Sequence, residues 1–545
     1  MNPIRDQLVW NRLLAIVEEQ AQTLMRTAFS TVVREAGDLS AGVFNTQGAM
    51  LAQAVTGTPG HVNAMARSVG KFLARHPVET LQPGDVLVTN NPWDGTGHLN
   101  DFTVVTPIFS PQEGVRPVAL FAATSHIADV GGLGFGPDGR EIYEEGLHVP
   151  IMPLFERGEI NATLMRLIAA NVRDPMVAEG DLYSLAACNR TGGEQLLKAM
   201  AEFELGEIDS VGQRIIETSR QAMAAQISEV PDGRFRHAMT VDGYDSPITV
   251  VCCLTVDGDA IDIDFDGTSQ ISPHGINVPL NYTEAYASFG VRCVVGNDIP
   301  NNAGSLAAVT VRAPAGCILN AEFPAAVSAR HALGQMLPDV ILGCLEQALP
   351  GSAPAEGASC IWNPVLRSAS GAQGNFSSRA FVINPIFNGG TGARPAQDGL
   401  STTAFPSGVR TTPTEVNEVS APLIIRRREY LPDTGGSGEY RGGLGQVVEI
   451  EHAEGAPFVI SKMFDRIEHA AQGRRGGEAG KPGRVFLRLA DGTEQPLRGK
   501  GRDTVPAGAT LVMETPGGGG IGDAHDRDPA SVRADMDAGL TTPSE

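Results

Sequence analysis

Hydrophobic residues recur every three or four positions in several parts of the chain, which is the spacing of one face of a helix. Between residues 7 and 35 this pattern runs without interruption and stops before Gly37, so it predicts one long helix. The same spacing predicts a helix over 63–75, a helical block over 161–230 and a helix over 326–349.

Short runs of apolar and β-branched residues between turn residues predict strands elsewhere. They occupy 38–53, 84–130 and 232–313, and the dipeptide Asp257-Gly258 is typical of a hairpin turn. From residue 355 onward the chain is rich in glycine, with short strands and loops. Because strands and helices form separate blocks, the predicted fold class is α+β: multi-layer mixed sheets, a central helical block and Gly-rich loops.

At 545 residues the chain is too long for one ordinary hydrophobic core, and we expect four regions. They are 1–160, an N-terminal α+β region with the hairpin described below; 161–230, the helical block; 231–350, a strand-rich region followed by a helix; and 351–545, a Gly-rich β/loop C-terminal region.

Charge and composition exclude several classes of function. Asp and Glu number 63 against 41 Lys and Arg, a net charge of −22, which repels nucleic acids and anionic lipids. No apolar stretch approaches the ~20 residues of a membrane span, and charges interrupt the N-terminus where a signal peptide would be apolar. The seven cysteines form no CxxC pair. We therefore expect a cytoplasmic protein with no nucleic-acid or membrane partner.

One predicted hairpin gathers residues that could bind a metal. Pairing Phe109 with Val118 across a polar loop sets Asp101 directly opposite His126, with Cβ atoms roughly 5 Å apart. His98 precedes Asp101 by three residues, in the turn that enters the strand. Two imidazoles and a carboxylate form a facial ligand set that suits Mn, Fe or Zn. The alternative is that these are ordinary turn and surface residues. A slip of one residue in the strand register would put Asp101 and His126 on opposite faces of the hairpin.

Several nearby residues are candidates for supporting or catalytic roles. Asp94 or Asp129 could be a second partner of the metal ligands or a general base, and His148 could be a further ligand or an acid. His61 precedes a predicted helix, where it could cap the helix, fill the core or join the same pocket. Asp38 fits an ordinary turn residue.

The glycine-rich segment 515–529, TPGGGGIGDAHDRDP, has some features of a phosphate-binding loop. It lacks the Lys-Ser/Thr ending of a Walker loop and opens no obvious helix. Four consecutive glycines instead favour a close backbone approach or a turn with positive φ. The sequence therefore predicts that this chain does not itself bind ATP.

Ordered motifs spread over some 480 residues resemble the hydantoinase B/oxoprolinase family. They are GDLSAGVFNTQGAMLAQA, TPGHVNAMARSVG, NNPWDGTGHLNDFTVVTP, SHIADVGG, EEGLHVP, ANVRDPMVAEGDL, IDFDGTS, NDIPNNAGSL, DTGGSGEYRGGLG and TPGGGGIGD. The stretch 401–418 departs from the family pattern, because it lacks a histidine that many relatives carry there.

The resemblance implies a divalent metal at His98, Asp101 and His126. Asp129, His148 and His61 are the candidate catalytic residues from their positions in the sequence. The resemblance also implies a hetero-oligomer with a hydantoinase A-like ATPase subunit, which binds ATP and phosphorylates a cyclic amide. This chain would then open the ring of a hydantoin, 5-oxoproline or another lactam with metal-activated water. Two alternatives remain open: a subunit of an ATP-dependent ketone carboxylase, and a non-catalytic scaffold for the ATPase subunit.

Overall fold

The structure is a computed structural model that describes residues 3–56, 58–110, 116–369 and 381–542. Its α-helices are α1 (Pro3–Thr27), α2 (Thr31–Arg34), α3 (Pro59–Arg75), α4 (Ile142–Glu145), α5 (Ala162–Asn171), α6 (Pro175–Glu202), α7 (Asp209–Ile227), α8 (Leu280–Arg292), α9 (Ala303–Ala307), α10 (Arg330–Gly334), α11 (Leu337–Ala348), α12 (Thr414–Ser420) and α13 (Pro529–Asp537). Helices and mixed sheets confirm the α+β class.

The strands form four sheets. They are β1 (Leu39–Phe44), β2 (Met50–Gln53), β3 (Val86–Thr89), β4 (Asp101–Phe109), β5 (Pro117–His126), β6 (Met152–Glu156), β7 (Glu159–Ile160), β8 (Gly233–Val241), β9 (Ile248–Asp257), β10 (Ala260–Asp264), β11 (Val309–Arg312), β12 (Val365–Ser368), β13 (Val382–Ile383), β14 (Leu423–Tyr430), β15 (Gln446–His452), β16 (Phe458–Met463), β17 (Arg484–Arg488), β18 (Glu494–Pro496), β19 (Lys500–Val505) and β20 (Thr510–Glu514). The sheet orders are β2-β1-β5-β4-β3-β6-β7, β11-β10-β9-β8, β13-β12-β16-β19 and β14-β15-β20-β17-β18.

The seven-stranded antiparallel sheet is covered by helices on both faces. Successive residues of a strand point to opposite faces, so Val104 and Phe121 join a core with α1 and α6. Val105 and Leu120 join a second core on the other face with α3. Burial on both faces fixes the register of β4 and β5, which carry the predicted hairpin.

The hairpin has the predicted register over most of its length. Asp101 lies opposite His126, and the pairing continues to Ile108. The predicted pair of Phe109 with Val118 is wrong, because a β-bulge after Ile108 places Phe109 opposite Pro117. Residues 111–115 of the loop lie outside the described residues. Because the bulge lies at the far end, it leaves the Asp101 end of the hairpin in place.

The predicted single helix over 7–35 is wrong at residues 28–30, where the chain separates α1 from α2. The buried carboxylate of Asp181 on α6 accepts hydrogen bonds from the backbone N–H groups of Phe29 (2.7 Å) and Ser30 (3.2 Å). Ser30 then caps α2 by accepting from the N–H of Val33. A tertiary partner for these N–H groups replaces the bonds that a continuous helix would have made.

The predicted strand-rich stretch 232–313 contains a helix. Strands β8 to β11 occupy its two ends, and the Asp257-Gly258 turn joins β9 to β10 as expected. Between them, α8 packs against α3 and α11. Tyr282, Tyr286 and Phe289 recur at helical spacing, so the sequence did contain a signal for this helix.

Glycines cluster in the C-terminal part, where segments 389–392, 434–445, 471–480 and 515–522 pack side by side. We call these four segments the glycine bundle. A Cβ atom on Gly518 would lie 2.0 Å from the carbonyl oxygen of Thr391, and one on Gly517 would lie 1.8 Å from that of Thr434. The expected close backbone approach is therefore confirmed.

Among the described residues, no helix combines the length and the apolar character needed to cross a membrane. The division into four regions and the cytoplasmic location stay predictions.

Candidate metal centre

The open end of the β4–β5 hairpin brings the three predicted metal ligands together. Asp101 is the first residue of β4, His126 is the last residue of β5, and His98 lies in the turn before β4. One ligand atom from each residue lies within 4.8 Å of the other two, and all three side chains are buried. The register of the hairpin therefore brings the two histidines and the aspartate close together in space.

The Oδ1 atom of Asp101 faces both histidines. It lies 2.7 Å from Nε2 of His98 and 3.2 Å from Nδ1 of His126. The Nδ1–H of His98 donates to the carbonyl oxygen of Ser328 (2.9 Å), so its Nε2 carries the lone pair in the neutral ring. Two lone pairs 2.7 Å apart repel each other unless a cation or a proton lies beside them.

The side chains fit a divalent cation. Within the described part of the chain, Nε2 of His98 and Nε2 of His126 are buried and have no hydrogen-bond partner. Burial and the neighbouring Arg330 lower the pKa of His98 to about 3, which keeps its ring neutral, the form that binds metals. Two imidazole nitrogens and one carboxylate oxygen suit Mn, Fe or Zn.

The other oxygen of Asp101, Oδ2, is held by three groups. The hydroxyl of Thr96 and Nη2 of Arg330 each donate to it at 2.6 Å, and Nε2 of His61 lies 2.8 Å away. Burial alone would raise the pKa of Asp101, but the neighbouring His61 and the positive charge of Arg330 hold it well below its usual value. Asp101 is therefore an ionised carboxylate at the centre of a buried charge network.

His61 lies between two carboxylates. Its Nε2 faces Asp101, and its Nδ1 lies 3.5 Å from Oδ1 of Asp38. Burial lowers the pKa of His61, but Asp101 and Asp38 outweigh that effect and raise it. Of the roles considered for His61, a place in the same pocket as the predicted ligands is the one that its position fits. Asp38, predicted as a turn residue, also lies against His61 at this pocket.

Arg330 and His331 complete the site from a distant part of the sequence. The Arg330 guanidinium stacks over the ring of Tyr282 at 4.0 Å and donates from Nε to the Thr96 carbonyl at 2.9 Å. His331 contacts Oδ1 of Asn363 through Nε2 at 3.0 Å, and burial and Arg330 lower its pKa. The sequence reasoning missed both residues; the only available signal was a cation and a histidine at the start of a helix.

A small cavity lies beside Asp101 and is lined by His61, His98, His126, Arg330 and His331. It leaves about 20 Å³ for the centres of water-sized spheres, enough for a water molecule or an ion. Phe135 forms one wall, with its ring 4.9 Å from that of His126 and 5.5 Å from that of His98. An apolar wall beside the ligands limits access of bulk water and strengthens electrostatic interactions inside the cavity.

Two of the predicted catalytic residues do not line this cavity. Asp129 accepts a hydrogen bond from Nη1 of Arg173 (2.5 Å) in a separate recess that also contains Arg367 and Arg502. His148 is half-buried beside the ring of Phe323, 6.5 Å between centroids. The structure thus brings His61, His98, Asp101 and His126 together and places Asp129 and His148 elsewhere.

Asp94, another predicted supporting residue, is held away from the ligands by its own partners. It accepts from Nδ2 of Asn91 at 2.8 Å, and Nζ of Lys71 lies 3.9 Å from its other oxygen.

Glu145, in the EEGLHVP motif, supports the candidate metal centre. Its Oε1 accepts from the N–H of Ser328 at 2.8 Å, and the carbonyl of Ser328 accepts from His98. Burial raises the pKa of Glu145 to about 8. Glu145 therefore positions the loop that orients His98, one of the predicted metal ligands.

Known proteins are similar to this chain over almost its whole length. The chain is 31% identical over 542 residues to 5-oxoprolinase 1 of Arabidopsis thaliana, covering 94% of this chain and 41% of the plant protein. It therefore spans about two fifths of that relative. It is 26% identical to the B component of a putative D-/L-hydantoinase of Pseudomonas sp., covering 99% and 93% of the two chains.

Two solved structures share the fold. The ATP-dependent caprolactamase of Pseudomonas jessenii has a TM-score of 0.88 and 24% identity, covering 99% of this chain and 95% of that one. Nucleotide-free acetone carboxylase has a TM-score of 0.88 and 18% identity, covering 99% and 78%. The family model described as Hydantoinase B/oxoprolinase matches residues 2–524. The resemblance seen in the sequence motifs is thereby confirmed, and the chain belongs to the hydantoinase B/oxoprolinase family.

Proposed function

We propose that this chain is the ring-opening component of an ATP-dependent cyclic amide hydrolase. The observation that carries the proposal is the convergence of His98, Asp101 and His126 in one buried cavity of a family member. The names of the relatives, 5-oxoprolinase and D-/L-hydantoinase, support a cyclic amide as the substrate class.

The proposed division of labour assigns ATP to a hydantoinase A-like partner subunit. Segment 515–522 is the part of the chain most similar to a phosphate-binding loop, and its glycines pack closely against the backbone of neighbouring segments. An unstrained amide is a poor electrophile, so phosphorylation of its carbonyl oxygen by the partner would activate the ring carbon. Phosphorylation releases ADP. Ring opening and release of phosphate then consume two water molecules and give phosphate and the open-chain product, which is an amino acid from a lactam or an N-carbamoyl amino acid from a hydantoin.

In this proposal His98, Asp101 and His126 hold the divalent cation. When bound, such a cation supplies Lewis acidity and lowers the pKa of water toward ~7. Arg330 and Thr96 fix the carboxylate of Asp101 so that Oδ1 faces the two ligand histidines. The neutral ring of His331 has a buried Nδ1 without a partner among the described residues, so it can accept a hydrogen bond from a reactant.

His61 can hold a proton between the two carboxylates that flank it. Phe135 covers the ligands and limits the access of bulk water to the activated amide, so that attack by water is confined to the cavity. Each of these roles belongs to a side chain that lines the cavity.

The experiment is reconstitution of this chain with its ATPase partner, followed by assays on hydantoin, 5-oxoproline and caprolactam. We expect ATP-dependent ring opening of at least one substrate with matching phosphate release, and a loss of more than about 100-fold in His98→Ala and Asp101→Ala. Full activity in both variants would establish the scaffold alternative. Incorporation of labelled bicarbonate without ring opening would establish the carboxylase alternative.

A further inference from the structure

The separate recess that contains Asp129 shares a wall with the metal cavity. We call it the arginine recess, because Arg173, Arg367 and Arg502 are among the residues that line it. Phe135 lines both spaces, so one aromatic side chain belongs to the wall of each. The recess leaves about 20 Å³ for the centres of water-sized spheres, which is room for a small ion and too little for a nucleotide.

The strand register explains why two of the arginines meet here. In the sheet β13-β12-β16-β19, Val365 lies opposite Ser461, and Ser461 lies opposite Arg502. Side chains two residues apart on a strand point to the same face, so Arg367 lies on the same face as Val365. Arg367 and Arg502 therefore reach the recess from one face of this sheet.

The loop that follows β5 forms another wall and anchors two of the arginines. Nη2 of Arg173 donates to the Gly132 carbonyl at 2.7 Å, and Nη2 of Arg502 donates to the Leu133 carbonyl at 2.6 Å. Gly132 and Leu133 are consecutive residues, with Cα atoms ~3.8 Å apart, so the loop holds the two guanidinium groups at neighbouring points. Nη1 of Arg173 also donates to Asp129 at 2.5 Å, so the charge of Arg173 is already paired.

Arg367 has no such partner. Within the ranges that the structure describes, its guanidinium makes no hydrogen bond or ion pair, although the side chain is half-buried. Burial and the nearby positive charges of Arg502 and Arg173 lower the pKa of Arg367. Like charges around a half-buried space repel one another, and an anion between them would replace that repulsion with attraction.

The charges and the free donors select a chemical class of ligand. Arg367 keeps all five of its N–H groups, and Arg502 is exposed and donates from Nη2 to the loop. Guanidinium groups bind carboxylates and phosphates through paired N–H···O bonds. Three arginines against one aspartate leave two positive charges in the lining of the recess, which match a doubly charged phosphate better than a singly charged carboxylate.

We propose that Arg367 and Arg502 bind one inorganic phosphate ion in the arginine recess. The proposal rests on the proposed function for the source of this ion, because ring opening releases phosphate next to the recess. It adds to that function a site that holds the product apart from the predicted metal ligands.

The test is titration calorimetry of inorganic phosphate into the full-length chain at constant ionic strength, with acetate as the singly charged probe. We expect phosphate to bind at one site with a Kd below about 1 mM, and acetate to bind at least about tenfold more weakly. Arg367→Gln and Arg502→Gln should each weaken phosphate binding about tenfold. The matched control is Arg12→Gln, which removes the same charge from an exposed position of α1 and should leave phosphate binding unchanged.

His98→Ala separates this site from the metal cavity, where a bound cation would also attract phosphate. This variant should bind phosphate as the wild type does, so the proposed function can fail while this proposal stands. Thermal melting shows that each variant is folded. The proposal is overturned if phosphate does not bind, if acetate binds equally well, if folded Arg367→Gln and Arg502→Gln bind phosphate normally, or if His98→Ala abolishes binding.

Discussion

The candidate metal cavity, lined by His61, His98, His126 and Phe135, and the glycine bundle are both buried and both rich in polar groups, but they satisfy those groups in opposite ways. In the cavity, the side chains of His61, His98 and Arg330 contact the carboxylate of Asp101. In the bundle, backbone bonds backbone: Gly443 donates to Thr391, Gly518 to Gly443 and Gly436 to Gly518, at 2.8–3.0 Å. Removal of a charged side chain should therefore disturb the cavity, whereas addition of a Cβ atom to a glycine should disturb the bundle.

The largest expected effect is that of Asp101→Ala. The change removes a metal ligand and leaves Arg330 buried without its carboxylate, which costs on the order of 3–5 kcal/mol of stability. We expect loss of the bound cation and a loss of activity of more than about 100-fold, measured by metal analysis and by the reconstituted assay. Asp129→Ala is the matched control, because Asp129 lies outside the cavity, and it should keep its metal. An Asp101→Ala protein with full metal content would contradict this prediction.

In the glycine bundle we expect Gly518→Ala to abolish soluble protein or to lower stability by about 3 kcal/mol or more, because the new Cβ would overlap the Thr391 carbonyl. The control is Gly70→Ala in α3, where a Cβ meets no atom within 4 Å, and it should stabilise the protein by up to about 1 kcal/mol. Thermal melting and soluble yield measure both. Equal melting temperatures for the two variants would show that the bundle does not depend on its glycines.

Arg330→Gln tests how far the cavity depends on charges beyond the ligands. It leaves the three ligands intact but removes the cation that holds Oδ2 of Asp101. We expect retention of metal with a loss of activity of about tenfold to 100-fold. Arg173→Gln, whose partner is Asp129 rather than Asp101, should change activity far less. Equal losses of activity in the two arginine variants would contradict a specific role for Arg330 in holding Asp101.

Glu145→Gln has the smallest expected effect and tests the protonation of the carboxyl group that holds the Ser328 loop. Burial raises the pKa of Glu145 to about 8, so the folded protein holds this proton more tightly than the unfolded chain does. The wild type therefore loses stability from this group as pH rises from about 4.5 to 8, whereas the variant does not. The stability advantage of the variant should grow by about 1 kcal/mol between pH 6 and pH 7, measured by unfolding at both values. A constant difference would show that Glu145 titrates normally.

The sequence predicted the parts of the site that depend on local pattern. Alternation along β4 and β5 and the distance of each from the turn were enough to place Asp101 opposite His126, even though the anchoring pair of Phe109 with Val118 was wrong. Four glycines in a row were enough to predict close backbone packing. The strand alternation and the run of glycines each lie in the same hairpin or segment as the feature that they predict.

The remaining parts depend on tertiary packing that no local pattern encodes. Arg330 lies 229 residues from the carboxylate it contacts, and His61 enters from the start of a helix on another face of the sheet. The break between α1 and α2 arises because Asp181 supplies an acceptor from another helix. Asp129 and His148 were selected for closeness in sequence, but Asp129 pairs with Arg173 and His148 lies beside Phe323, both outside the cavity.

The central claim is that His98, Asp101 and His126 hold one divalent cation on which the reaction depends. The most direct measurement is the metal content of the reconstituted complex together with its ATP-dependent ring-opening rate, for the wild type and for His126→Ala. We predict about one divalent ion per wild-type chain, and loss of both metal and activity in the variant. A metal-free His126→Ala complex that opens the ring at the wild-type rate would contradict the claim.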